Sequence, residues 1–224
     1  MPAFKVRGLG FYVGAVVCLA LLAAVHPSRA QESPSGARIT FTKTLKGSTP
    51  EYFALTIDAS GQGTYDSHKL DDAPAPRPLQ ISAGTTAQIF SLAASLNHFR
   101  AIDLDSHRKV ANMGLKTLSF EDGKESNRAQ YNYTENRTAR HLTDMFEKIS
   151  SVEEQIGQLE YAMKYDHLSL PEDLLQIQED LAANNYLEPS LMVPTLEKIV
   201  SNSRFMHLAQ SRAQDILQKI QRNK

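Results

Sequence analysis

The chain has 224 residues, of which 24 are basic and 25 acidic, and it contains one cysteine, Cys18. Nucleic-acid-binding proteins usually carry a basic patch or stripe, so this near-neutral balance argues against such a partner. It also argues against an electrostatic membrane anchor, which needs a cluster of lysine and arginine residues.

Residues 1–30 have the pattern of a secretory signal peptide. Lys5 and Arg7 form a short basic start, and a long, almost uniformly apolar run follows. The small residues Ser28 and Ala30 occupy the two positions that a signal peptidase reads. We therefore predict cleavage after Ala30 and export to the periplasm or to the cell exterior.

Loss of this leader changes the chemistry of the remaining chain. It removes three basic residues and Cys18 but no acidic residue, so 21 basic and 25 acidic residues remain and the formal charge becomes −4. A cysteine-free mature chain excludes thiol catalysis, zinc–thiolate sites and redox motifs. It is typical of a bacterial exported protein rather than of a disulfide-rich animal one. Because the apolar run continues past Cys18, we expect no lipid attachment there. Once the leader is cleaved, we expect no stable membrane anchor.

The polar residues 31–36 predict a flexible tail, after which the pattern changes to that of strands. Apolar and polar residues alternate over residues 39–45 and 52–57, as in half-buried strands. A turn at residues 58–61 then leads to a third predicted strand at 63–68.

A proline-rich surface loop over residues 71–78 and a short strand at 79–81 precede the first predicted helix. Ser82 is placed to cap this helix, which we predict over residues 83–96. The dipeptide at 122–123, Asp-Gly, predicts a hairpin, because both turn positions tolerate positive φ.

The strands of this hairpin would cover residues 116–121 and 124–133. Together with the earlier strands, they predict that residues 37–150 form an α+β domain, in which a small antiparallel sheet packs on one helix. Tyr131 and Tyr133 would face one side of the second strand. With the nearby arginines 128 and 137, these tyrosines could form a binding patch, because aromatic residues and arginine are enriched at interfaces. The alternative is a plain strand, in which tyrosine is a favoured residue. We prefer the plain strand.

From about residue 136 the chain is predicted to be helical to its end. Apolar residues recur with the seven-residue period of a coiled coil or of a long bundle helix. Ser151 and Glu154 could equally form a capping box that starts a new helix, but we favour one long helix. Residues 151–224 are thus predicted to form a helical module. The positions predicted to be buried include Leu142, Ile149, Ile156, Leu174, Leu175 and Ile177.

One cluster has the residue types of a divalent-cation site. Asp103, Asp105 and His107 alternate on an extended segment, so their side chains could share one face. The alternative is a solvated loop that follows the helix, and nothing else in the sequence completes a coordination shell. We therefore predict no metal site.

Gly61 and Gly63 begin like a dinucleotide-binding fingerprint, but Asp66 replaces the third glycine and the segment lies between two strands. A hairpin turn explains these glycines, so we predict no cofactor. The chain has no Gly-x-Ser-x-Gly elbow and no Walker A sequence, and we assign no catalytic residue.

Two neighbouring motifs resemble the opening of a family of uncharacterised bacterial exported proteins. The motifs are the Thr-Pro-Glu-Tyr turn at residues 49–52 and the hairpin at 58–65, which match the family's Cys-Pro-x-Tyr turn and its acidic-Gly, Gly-x-Tyr hairpin. The resemblance covers about residues 39–149 and departs at the family's cysteines, which are Leu45 and Thr49 here. It implies this fold and an exported location, and the family has no established activity.

The sequence as a whole therefore predicts an exported protein in which a long helix joins an α+β domain to a C-terminal helical module. We favour a non-catalytic interaction or binding module whose partner is another envelope protein or a second copy of the chain. The alternative is a cell-envelope hydrolase or metal-dependent enzyme that uses acidic residues. An enzyme should show a deep pocket with convergent polar groups, whereas a binding module should show an exposed apolar surface.

Overall fold

A computed structural model gives the fold over residues 36–222. The predicted signal peptide, residues 31–35 of the predicted tail and the last two residues lie outside this described range. Within it, none of the helices combines the length and the apolarity that a membrane span requires.

The described chain folds into a six-stranded antiparallel sheet and five α-helices, which is the predicted α+β class. The strand order is β4-β3-β2-β1-β5-β6, so β1 is paired on both sides. The strands are β1 (Arg38–Thr44), β2 (Tyr52–Asp58), β3 (Gln62–His68), β4 (Arg77–Gln80), β5 (Leu115–Glu121) and β6 (Ser126–Tyr131).

The alternation that predicted the first two strands sets the two faces of the sheet. Ile39 and Phe41 of β1 are fully buried on the core face, opposite Ile57 and Leu55 of β2. The other face is polar and half-exposed, and Thr40 Oγ1 lies 3.0 Å from the hydroxyl of its cross-strand partner on β2. One buried face and one solvated face are usual for antiparallel sheets.

The β5–β6 hairpin differs from its predicted turn. The strands pair up to Glu121 and Ser126, so four residues connect them rather than two. Gly123 has positive φ, but Asp122 acts through its side chain, because its carboxylate accepts the backbone N–H groups of Lys124 and Glu125 at 2.9 and 2.8 Å. An aspartate that bonds to the backbone two residues on is a common turn device.

Helix α1 (Ala83–Ser95) begins at the predicted cap, where Ser82 Oγ accepts the backbone N–H of Thr85 at 3.2 Å. The helix ends in a left-handed turn that the sequence does not predict. Asn97, His98 and Phe99 all have φ between 50° and 62°. Tertiary packing compensates for this conformation, because Phe99 is buried and the His98 ring stacks on Phe120 at 4.2 Å.

Helix α2 (Arg137–Tyr165) is continuous, as favoured above. The alternative capping box is wrong, because Ser151 Oγ donates to the Glu147 carbonyl within the helix. The first half of α2, through Ile149, packs in one apolar core with α1 and the sheet. From Val152 onward the helix packs in a second core with the C-terminal helices.

The C-terminal helices are α3 (Leu170–Ala182), α4 (Val193–Ser201) and α5 (His207–Arg222). Leu174 and Ile177 are fully buried in the second core. The prediction that Leu175 is also inside is wrong, because its side chain is 39% exposed. Leu174 and Ile177 are three residues apart and share the buried face of α3. Leu175 directly follows Leu174, so its side chain points away from the core.

Two polar contacts connect the C-terminal half of the chain to the sheet and to α1. Glu188 accepts hydrogen bonds from the hydroxyls of Ser82, at 2.5 Å, and of Thr85, so a buried carboxylate sits at the start of α1. The Arg77 guanidinium donates to the backbone carbonyl and carboxylate of Glu153 on α2, at 3.0 and 3.3 Å. The Glu188 carboxylate is favourable at the N-terminus of α1, because the backbone N–H groups of a helix start point toward it.

Candidate functional site

An open groove runs along α2 where this helix passes from one core to the other. It consists of two adjoining depressions of about 310 and 340 Å³, which share Glu147, Ser151 and Glu154. The small side chains of Ser150 and Ser151 line it at this passage. We call this feature the α2 groove.

The α2 groove is lined by five carboxylates and two lysines. Lys43 Nζ lies 2.8 Å from Glu147 Oε1, and Lys148 Nζ lies 3.5 Å from Asp144 Oδ2. Both lysines are therefore paired, which leaves the groove with an excess of negative charge. The lining carboxylates are Glu51, Asp144, Glu147, Glu154 and Asp180.

A chain of side-chain hydrogen bonds leads from the groove into the core. Ser150 Oγ donates to Glu154 Oε1 at 2.9 Å and lies 3.3 Å from the Tyr65 hydroxyl. Burial raises the pKa of Tyr65 to about 12, so this phenol stays protonated. Burial also raises the pKa of the Glu154 carboxyl, and this effect is partly opposed by the Ser150 hydrogen bond and by the positive charge of Lys43.

The raised pKa of Glu154 gives a pH-dependent stability with a definite sign. A carboxyl that binds its proton more tightly in the folded state stabilises that state fully below its ordinary pKa of 4.5, and this contribution is lost as pH rises through the folded-state pKa. We expect Glu154→Gln, which keeps the Oε1 acceptor, to be more stable than the parent at pH 7. The difference in melting temperature between this variant and the parent should disappear as pH falls toward 4.5. A difference that grew on acidification would contradict the raised pKa of Glu154.

Sequence reasoning missed a second buried carboxylate, that of Glu153, which is only 5% exposed. Its partner Arg77 also reaches Glu160, with an Nη1–Oε2 distance of 3.3 Å, and its guanidinium lies 5.9 Å from the Tyr65 ring centroid. Burial raises the pKa of the Glu153 carboxyl, and Arg77 opposes that rise. This arrangement connects the sheet edge to α2 and has a structural role.

The predicted metal-like cluster is a solvated loop. His107 Nε2 lies 2.7 Å from Asp103 Oδ2, and both side chains are largely exposed. The oxygens of Asp105 instead accept the backbone N–H groups of His107 and Asn132, at 2.7 and 2.8 Å. Across residues 36–222, no set of three or more His, Cys, Asp or Glu side chains is placed to hold a metal ion.

The glycines at 61 and 63 have local structural roles. Gly61 has φ of +82° and lies against Thr86 and Ile81, and a Cβ on Gly63 would come within 2.0 Å of the Thr56 carbonyl oxygen. The aromatic–cationic patch does not form, because Tyr131 is buried with its hydroxyl bonded to Thr143. The plain-strand interpretation therefore holds for Tyr131.

Large apolar side chains are exposed at one end of the C-terminal helices. Tyr161 and Tyr165, each 63% exposed, lie one turn apart near the end of α2, with ring centroids 5.0 Å apart. Leu168, 79% exposed, follows in the α2–α3 connection. The adjacent His167 ring packs edge-on against Phe205, also at 5.0 Å, which brings this connection to the start of α5.

Two further apolar side chains are exposed where α5 begins. These are Met206 and Leu208, which are 40% and 53% exposed. Single exposed apolar residues are normal on protein surfaces, whereas large apolar patches are typical of interaction sites. We define the end surface as Tyr161, Tyr165, Leu168, Met206 and Leu208.

The described residues thus present a polar groove and an apolar end surface, which differ in the chemistry they can bind. The α2 groove suits small polar or charged groups, and the end surface suits a protein partner. No protein-family model matches this chain, and a search of curated proteins finds no match to it.

Proposed function

We propose that the protein is an exported, non-catalytic binding module that engages another envelope protein, or a second copy of the chain, through the end surface. The single observation that supports this function most directly is the exposure of two adjacent tyrosines beside Leu168. Aromatic side chains are enriched at protein interfaces, because they bury a large apolar area and order few rotatable bonds. Export is supported by the leader pattern of residues 1–30 and by the family resemblance over residues 39–149.

The hydrolase alternative fits the groove less well. A glycosidase of the common type holds two carboxyl groups on either side of the scissile bond. Glu147 and Glu154 extend from the same helix and so share one wall of the groove, and Glu147 is already paired with Lys43. The lining carboxylates on other elements, Glu51 and Asp180, are held by hydrogen bonds and have lowered pKa values, so neither is suited to hold the proton of a general acid. This arrangement favours binding over acid–base catalysis.

The test replaces three end-surface residues at once, as Tyr161→Ser, Tyr165→Ser and Leu168→Ser. Because these side chains are exposed, the free energy of unfolding should change by no more than about 0.5 kcal/mol per site. We expect the parent to give a discrete cross-linked species in its native envelope, and the triple variant to lose it. Mass spectrometry of the species distinguishes a second copy from a different protein.

A matched control carries Leu70→Ser, Val110→Ser and Met113→Ser, which are exposed apolar residues outside the end surface. This control should keep the cross-linked species. Survival of the species in the end-surface variant, or equal loss in both variants, would show that the partner binds elsewhere.

A further inference from the structure

The end surface has two halves, and the half that comes from α2 and the α2–α3 connection is acidic. The exposed Lys164 lies on this half, but its Nζ is 4.9 Å from the Tyr165 ring centroid, so the ring of its own chain holds it. Three acidic residues surround the apolar side chains here, two of them in the first turn of α3: Asp166, Glu172 and Asp173. We call this part the acidic half.

The half that comes from the start of α5 is basic. Residues 201–214 include Arg204 and Arg212 and contain no acidic residue. Arg212 donates to the Pro171 carbonyl at the start of α3, which brings the two halves side by side. We call this part, with its exposed Met206 and Leu208, the basic half.

One charged group on each half is exposed and has no counter-ion in its own chain. Asp166 and Arg204 make their hydrogen bonds through the backbone: Ser169 Oγ donates to the Asp166 carbonyl, and the Arg204 N–H donates to Asn202, both at 3.0 Å. Within residues 36–222, neither the Asp166 carboxylate nor the Arg204 guanidinium takes part in an ion pair. Both groups are therefore free to pair across an interface.

An apolar surface with one acidic and one basic half is complementary to itself. A two-fold axis that runs between the halves places the acidic half of one copy against the basic half of the other. Such a symmetric contact forms every favourable pair twice, and two-fold dimers are the commonest protein oligomers. Opposite charges that face each other across an interface also suppress wrong partners.

The size of the end surface fits a reversible dimer. Tyr161 and Tyr165 are each 63% exposed. Together they offer roughly 200–300 Å², since a buried aromatic side chain contributes about 150–250 Å². The three other apolar side chains and the charged rim add to this area. Weak, transient interfaces bury less than about 600 Å² on each partner, so the contact belongs to this class.

We infer that the end surface binds a second copy of this chain in a two-fold symmetric dimer. The acidic half of each copy packs on the basic half of the other, and Asp166 pairs with Arg204 of the other copy at two equivalent positions. This inference rests on the proposed function, since it names the partner of the same surface.

The experiment is sedimentation equilibrium of the protein purified from its native envelope, with charge reversals at the two paired positions. We expect the parent to dimerise reversibly. Asp166→Arg alone and Arg204→Asp alone should each weaken the dimer at least about tenfold, because the repulsion occurs at both equivalent positions. The double variant restores both pairs with reversed sign, so its dimer should be about as strong as that of the parent.

The matched control combines Asp71→Arg with Arg140→Asp, which make the same two reversals at exposed sites outside the end surface. It should leave the dimer unchanged, and melting curves should show that every variant is folded. A double variant that dimerises no better than the single variants would overturn the inference. Charge reversals without effect on the dimer would also overturn it.

The serine triple variant separates failure of this inference from failure of the proposed function. A parent that stays monomeric up to about 100 μM lacks even a micromolar self-affinity, which would overturn the inference. If the triple variant still loses its cross-linked species in the envelope, the proposed function stands with a different protein as the partner. If it keeps both the dimer and the cross-linked species, the inference and the proposed function are both wrong.

Discussion

Replacement of Ile149 by Asp is expected to unfold the protein at temperatures where the parent is native. Ile149 is fully buried in the core that α2 forms with α1 and the sheet. An unpaired carboxylate at this position costs several kcal/mol. A typical domain is stabilised by only about 5–15 kcal/mol in total, so this cost is a large part of it. Circular dichroism melts of the variant and the parent measure the effect.

Two controls separate the charge from other effects of the substitution. Ile149→Val removes one methyl group and should lower the free energy of unfolding by only about 1 kcal/mol. Arg140→Asp places the same carboxylate on the exposed face of α2 and should leave the melting temperature nearly unchanged. A native-like melt for Ile149→Asp would mean that the first half of α2 is not packed on the sheet.

Gly63→Ala is expected to be the most damaging single-methyl change in the sheet. The added Cβ would lie 2.0 Å from the Thr56 carbonyl oxygen, so β2 and β3 would have to separate locally. Overpacking in well-packed regions costs about 1–3 kcal/mol, and here the obstacle is backbone, which cannot rotate away. Chemical denaturation should show a lower midpoint.

Gly84→Ala is the matched control with the opposite expected sign. A Cβ on Gly84 meets nothing within 4 Å, and the residue lies in the first turn of α1. Alanine should therefore stabilise the protein by up to about 1 kcal/mol, because glycine loses more backbone freedom on folding. Equal effects at positions 63 and 84 would show that the contact with Thr56 is not formed.

The elements that could be predicted are those that depend on residues close together in the chain. The alternation in β1 and β2 and the cap at Ser82 needed only local patterns, and the structure confirms them. The left-handed turn at Asn97–Phe99 could not be predicted in this way. Asn and His adopt positive φ more often than most residues, but three consecutive non-glycine residues seldom do so. Burial of Phe99 and the stacking of His98 on Phe120 decide the conformation instead.

The features of the candidate sites depend on contacts between distant residues. Glu153 looked like a solvent-facing helix residue, and only the approach of Arg77 from β4 explains its burial. The α2 groove lies where α2 passes from the first core to the second, and a hydrophobic pattern along one helix carries no signal for such a gap. Tyr161 and Tyr165 fall outside the seven-residue seam, so their exposure agrees with the pattern, but their placement near the start of α5 depends on how the helices pack.

The central position of β1 has a consequence for how the chain acquires its fold during synthesis. One edge of β1 can pair with β2 as soon as β2 has been synthesised. The other edge stays unpaired until β5 has been synthesised, and β5 follows β4 and α1 in the chain. At translation rates of about 5–20 residues per second, this interval is on the order of ten seconds. An open strand edge is a template for pairing with other chains, so aggregation competes with folding mainly before β5 has emerged.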